Sequence, residues 1–203
     1  MEKHGVVLSH HRLLAASDLD LLRSYEDFYS KLTLELRVLS LKDREIVWAG
    51  LTAATREVYG AVHIKRGEAA GLSQQEIANA VAIAAAVEAY PVLDGFAAVE
   101  WSKIEDPDLV EQRYLDIVKK ARGELNERIS ELCALVCQAA HNRLTAMTFH
   151  IGRFFQAGGS RDELAEALSF LLFHCGGPAL IHAVDVWAEA ARERGYPPPY
   201  PLD

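Results

Sequence analysis

Arg143 and His150 are the side chains whose types and spacing could do chemistry. A guanidinium can hold a carboxylate through two parallel hydrogen bonds, and an imidazole can carry a proton near neutral pH. At helical spacing Arg143, Ala146 and His150 fall on one stripe, so a bound acid and a proton carrier would lie two turns apart. Asn142 precedes the guanidinium, and His182, four residues after Pro178, is a further imidazole in the same half of the chain. Asp185, three residues further on, reads equally as an orienter of that ring or as an exposed helix acid. The assignment is Arg143 with Asn142 as carboxylate clamp, His150 as general acid/base and His182 as second proton carrier or orienter. The competing reading of His150 is a core histidine donating to a backbone carbonyl. Arg56, Tyr59 and His63 repeat the stripe earlier in the chain as a second candidate substrate-binding set, while Glu57 points away from it.

Other reactive residues carry less. Cys133 and Cys137 stand i, i+4 and read as small apolar residues on a buried helix face, and Cys175 reads as a packing residue at a helix break. No H-x-x-x-H pair occurs, so no metal site is expected. Trp48, Trp101 and Trp187 read as core or interface residues. His4, His10 and His11 sit in a leading segment without clear periodicity, either a surface feature or a flap over a pocket.

The elements that must position these residues are all helical. Ser17 is placed to cap a helix running through Leu32, and a helix pattern runs from Leu41 to about Ala70, where Gly71 stops it. Ser73-Gln-Gln-Glu76 is a capping box that opens the next helix, to about Ala89. Pro91 fits the first turn of another, through Trp101. Asp106-Pro107 divides the chain into 1–105 and 106–203 and starts a helix through Val118. The grammar then repeats: a long helix from Glu127 to Gln156, a capping box at Ser160–Glu163, a helix to His174, and a last helix to Arg194. The Pro-rich tail to Pro201 lies extended against a neighbour. No stretch reads as a strand.

Placing His63 on His150 fixes an offset of 87, at which Arg56, Ile64, Arg66, Gly71, Ser73, Glu76 and Pro91 each meet an identical residue. Helix-end signals recurring at one offset indicate a tandem duplication, two halves packed as a pseudo-dimer with a shared core.

Composition narrows the function. A net charge of −8 without basic clusters argues against nucleic acid, and the most apolar run, Ile77 to Val87, is too short to span a membrane. Three cysteines and no leader pattern fit a reduced, cytoplasmic protein.

Asn142-Arg143, His150, Arg161-Asp-Glu-Leu164, Cys175-Gly176, Pro178 and His182-Ala183 together resemble the carboxymuconolactone decarboxylase family, of the alkylhydroperoxidase-D-like all-α fold. The resemblance implies a tandem duplication of that helical repeat, no cofactor, and a homotrimer forming a pseudo-hexameric ring. The family's peroxidase branch carries Cys-x-x-Cys on its long helix. Arg143 and Ala146 stand at those positions here, so thiol-dependent peroxidase activity ranks last. Its decarboxylase branch carries two acids before the His, and Thr145 and Ala146 replace them. The implied function is a cofactor-independent lyase or isomerase of aromatic-degradation type, on a small carboxylate-bearing lactone or ring-cleavage product. The alternative is a non-catalytic binding or assembly protein that keeps the fold.

Overall fold

The computed structural model describes residues 7–98 and 107–202, and every regular element among them is helical. His4, Trp101 and the division at 105/106 lie outside the described residues. The chain separates into two units, 1–36 and 37–203.

In the first unit α1 (Ser9–Ser17) precedes α2 (Leu19–Tyr29), which runs on into a π turn, Ser30–Leu34. The segment expected to be irregular is thus helical from Ser9. Asp18, not Ser17, caps α2: its carboxylate accepts from Leu21 N at 2.9 Å, while Ser17 Oγ is turned back onto Leu13 O at 2.8 Å and closes α1. His10 and His11 pack against the ring of Tyr25, with centroids 5.0 and 5.8 Å away.

The second unit holds both copies of the repeat. The first comprises α3 (Leu41–Thr55), a 3-10 turn (Val58–Gly60), α4 (Ala61–Ala69), α5 (Gln74–Ala86) and α6 (Ala89–Ala97). After α7 (Pro107–Ala121) the second follows as α8 (Glu127–Ala140), α9 (Leu144–Gln156), α10 (Arg161–Ser169), α11 (Leu171–His174) and α12 (Gly176–Arg194). The expected helix to His174 is interrupted at Phe170.

Packing obeys the duplication. α3 lies on α4 and α5 as α8 lies on α9 and α10, and α3 and α8 lie on each other. The third helix then crosses over: α5 packs on α8, and α11 packs on α3. Two faces related in this way bury each other, so neither copy has a core of its own. Gly50 permits the close approach at the centre, because a Cβ there would sit 2.3 Å from Cys133 Sγ. Helix ends also recur. Gly71 and Gly158 share φ +86°, a left-handed value that ends α4 and α9 and that glycine adopts without a Cβ clash. The capping boxes match as well: Ser73 N reaches Glu76 Oε2 at 2.7 Å, and Ser160 N reaches Glu163 Oε2 at 2.8 Å. The fold is an all-α tandem duplication.

Both long helices expected from periodicity are broken. The first leaves the helix at Arg56 (φ +56°) and the second at Asn142 (φ +54°). Each break is a Schellman turn, with Glu57 N bonding Thr52 O and Arg143 N bonding Gln138 O, both at 3.0 Å. Apolar spacing runs through the breaks because the flanking helices pack on one core, so periodicity could not show them. Arg56 therefore corresponds in structure to Asn142, not to Arg143, and the second copy carries one extra residue between its break and His150.

The neighbour of the Pro-rich tail is its own second copy. Tyr196 stacks on Phe155 of α9 at 5.8 Å, and the Trp187 indole of α12 donates to Pro197 O at 2.8 Å.

Candidate functional site

The break after α8 undoes the expected stripe. Arg143 is the N-cap of α9, with φ −96° and ψ 73°, so it does not share a helix face with Ala146 and His150. The three side chains serve two separate places.

His150 is in the interior, with 0% of its surface exposed. Its Nδ1 lies 2.7 Å from Glu131 Oε2 on α8, and its Nε2 lies 2.6 Å from the Tyr114 hydroxyl on α7. Tyr114 accepts from Gln138 Nε2 at 2.7 Å, and that amide also donates to Val87 O at 3.2 Å. The phenol is left free to donate to His150 Nε2, so Nδ1–H faces Glu131. The core reading of this histidine named a backbone carbonyl as its partner, but a buried carboxylate takes that place. Burial works to raise the Glu131 pKa, yet hydrogen bonds from His150 and Arg153 outweigh it and hold the carboxyl below its usual value. Burial pushes the Tyr114 phenol well up.

The first copy has the same pair, His63 Nδ1 to Glu45 Oε2 at 2.9 Å, within a different lining. Arg44 holds the other oxygen of Glu45 at 2.9 Å. Trp48 lies flat on the His63 ring at 4.3 Å, and Phe170 covers its other side at 4.5 Å. His174 Nδ1 meets Thr55 Oγ1 at 2.9 Å. Burial lowers the pKa of both imidazoles, and His63 lowers that of His174 further. Arg56 and Tyr59 are not part of this lining. Arg56 is exposed at the turn, and Tyr59, 67% exposed, stands on the 3-10 turn that Glu57 caps.

Around the second break a half-exposed constellation forms. Arg143 Nη2 lies 2.7 Å from Glu88 Oε2, and its Nη1 donates to Val87 O at 3.3 Å. His141 Nε2 lies 2.9 Å from Glu88 Oε1, within ion-pair range but off the line of a hydrogen bond. Asn142 Oδ1 meets His182 Nδ1 at 3.2 Å, so Asp185 is not the group that holds that nitrogen. The hydrogen bond from Arg143 keeps the Glu88 carboxyl below its usual pKa. Burial lowers the pKa of His141, and Arg143 adds to the effect against Glu88. Arg143 is thus paired with Glu88 beside His141, Asn142 with His182, and His150 with neither set.

Glu131, Glu45, Tyr114, Gln138, Glu88 and His141 were not singled out by the sequence. A signal for the first two existed: an acid stands 19 residues before His150 and 18 before His63. A fixed offset concealed it, because the extra residue in the second break shifts the register.

The sequence profile of the carboxymuconolactone decarboxylase family matches twice in tandem, over residues 20–102 and 109–189. The chain belongs to this family. A comparison with curated proteins found no match. Family membership supports a carboxymuconolactone decarboxylase-like or alkylhydroperoxidase-like role, and members are typically enzymes. Two of the three thiols are disfavoured as thiolates. The Cys137 thiol is raised well above its ordinary pKa by its hydrogen bond with Cys133 and by burial, and burial raises Cys175. A protonated thiol is a weak nucleophile.

Proposed function

We propose that this family member is a cofactor-independent lyase or isomerase for a small carboxylate-bearing lactone or ring-cleavage product, with its site at the break between α8 and α9. The observation behind this reading is the turn after α8, where Arg143 pairs with Glu88 beside His141 and the adjacent Asn142 meets His182. Arg143 anchors the substrate carboxylate, which competes with Glu88 for the guanidinium. Proton transfer then occurs among the imidazoles at the turn. His150, sealed between Glu131 and Tyr114, acts as a positioning residue that fixes α9 against α7 and α8.

Incubation with a panel of dicarboxylic lactones and aromatic ring-cleavage acids, read by CO₂ release and absorbance, tests the reading. The expected result is turnover of at least one compound, with KM raised about 10-fold or more in Arg143→Gln. No turnover across the panel, or an unchanged KM, overturns it. A second reading, a binding or assembly protein without chemistry, draws on the sealed His150 and on the Glu88 that already occupies Arg143. Binding of panel compounds without conversion would favour it.

A reduced cytoplasmic setting and a homotrimer form part of the same proposal. Val58, Tyr59, Val92 and Ile181 are exposed apolar side chains of the kind a subunit contact covers. Light scattering should give three times the 22.5 kDa chain mass.

A further inference from the structure

We infer that Glu88 and His141 form the proton-transfer pair of the second-copy site, so that the carboxylate missing from α9 is supplied by the first copy of the repeat. The inference rests on the reading of Arg143 as substrate anchor.

The crossover packing carries the argument. Glu88 is the N-cap of α6, one residue beyond the Val87 that ends α5, and α5 packs on α8 of the other copy. That crossing delivers the Glu88 carboxylate to Arg143 at 2.7 Å and to His141 at 2.9 Å. Thr145 and Ala146 leave no acid on α9 itself. His141 Nε2 is buried and has no aligned hydrogen-bond partner, although a carboxylate is beside it. A buried nitrogen in that state is poised to take a proton, with an anion in place to stabilise the imidazolium that results. Glu88 is 43% exposed and lies 2.9 Å from this nitrogen. A substrate carboxylate that takes over Arg143 would move it aside.

In a decarboxylation the bond from the substrate carbon to the leaving carboxylate breaks. Its electron pair stays on the substrate as an enolate, and CO₂ departs. The His141 imidazolium, protonated from solvent, then returns a proton to that carbon. In an isomerisation the imidazole removes a proton from one carbon and delivers it to another, with the electron pair held by the substrate between the two steps.

The equivalent place in the first copy lacks this chemistry. Thr55 stands where His141 does, and Cys175 where Glu88 does. Of these two equivalent places, the second-copy turn is the one that holds both an acid and an imidazole of this pair.

Malonate, an unreactive dicarboxylate, serves as the binding probe, together with NMR titration of the His141 ring, which faces Glu88, Arg143 and Arg56. Wild-type protein should bind malonate and Arg143→Gln should not, and binding should shift the His141 titration. Glu88→Gln frees Arg143, so malonate should bind several-fold more tightly while kcat falls about 10-fold. His141→Asn should lower kcat about 100-fold or more. Opposite movement of affinity and kcat is not expected of a merely structural carboxylate. Thr55→Ala and Cys175→Ser should leave turnover unchanged. Malonate binding that depends on Arg143 but leaves His141 unmoved, or full kcat in His141→Asn, overturns this inference alone. No malonate binding in the wild type overturns the Arg143 reading and this one with it.

Discussion

The two copies of the repeat keep the same buried Glu–His pair and surround it differently, and the difference separates scaffold from chemistry. In the first copy Arg44 saturates the acid, and Trp48 and Phe170 enclose the aromatic layer around the imidazole. Thr55 and His174 pair with each other beside that layer. In the second copy the imidazole continues through Tyr114 and Gln138 toward the turn where Glu88, His141 and Arg143 are half exposed. A pair that persists in both settings serves the fold first. The polar turn beside the second pair is the place that the proposed chemistry uses.

The largest test of that comparison is His150→Ala. It leaves the Tyr114 hydroxyl without its buried acceptor and the Glu131 carboxylate with Arg153 alone, and about 3–5 kcal/mol of stability should be lost. His63→Ala should cost less, about 2–3 kcal/mol, because Glu45 likewise keeps its arginine, Arg44, and no phenol such as Tyr114 loses its partner. Urea unfolding of both variants decides; equal losses would mean that the second copy's longer network adds nothing.

The next effect is at the shared centre. Gly50→Ala places a methyl against Cys133, at a cost of about 1–3 kcal/mol. Cys133→Ala in the same chain should recover most of the loss in thermal unfolding. If it does not, the contact between α3 and α8 is looser than described.

Acid should then separate the two surroundings. His63 and His174 have folded-state pKa values below the ordinary 6.5, so their neutral forms favour the folded state. That contribution is complete above about 6.5 and is lost as pH falls toward the lowered folded values. Glu131, held below 4.5, also contributes above its unfolded value, but its share is lost only in more acidic solution. Stability should therefore fall in two stages on acidification. His174→Gln should flatten the first stage and leave the second; an unchanged first stage would remove the first-copy histidines as its source.

The smallest effect concerns the tail, which has a seat on the second copy only. Tyr196→Ala should cost about 1 kcal/mol through the lost stacking on Phe155. A loss above 3 kcal/mol would mean that the tail forms part of the core.

Much was legible without coordinates. Ser73–Glu76 and Ser160–Glu163 announce their helices because a capping box is a local arrangement of side chain and backbone. Gly71 and Gly158 mark helix ends for the same reason. Identity at one offset exposed the duplication, since paired helix-end signals rarely coincide by chance. The buried state of Cys133 and Cys137 followed from their spacing.

The site was legible only in part. Asn142 and His182 do meet, but Arg143 pairs with Glu88 and His150 lies apart, because both long helices break at residues that periodicity passes over. Asn142 accepts a left-handed backbone readily, whereas Arg56 gives no such warning. Glu88 was out of reach for another reason: 55 residues separate it from Arg143, and only the crossing of α5 onto α8 joins them. The chain's local chemistry determined its helices, their caps and the doubling of the repeat. Tertiary packing decided which imidazole is sealed, which is half open, and which copy lends its acid to the other, because those facts depend on helix crossings that no local spacing encodes.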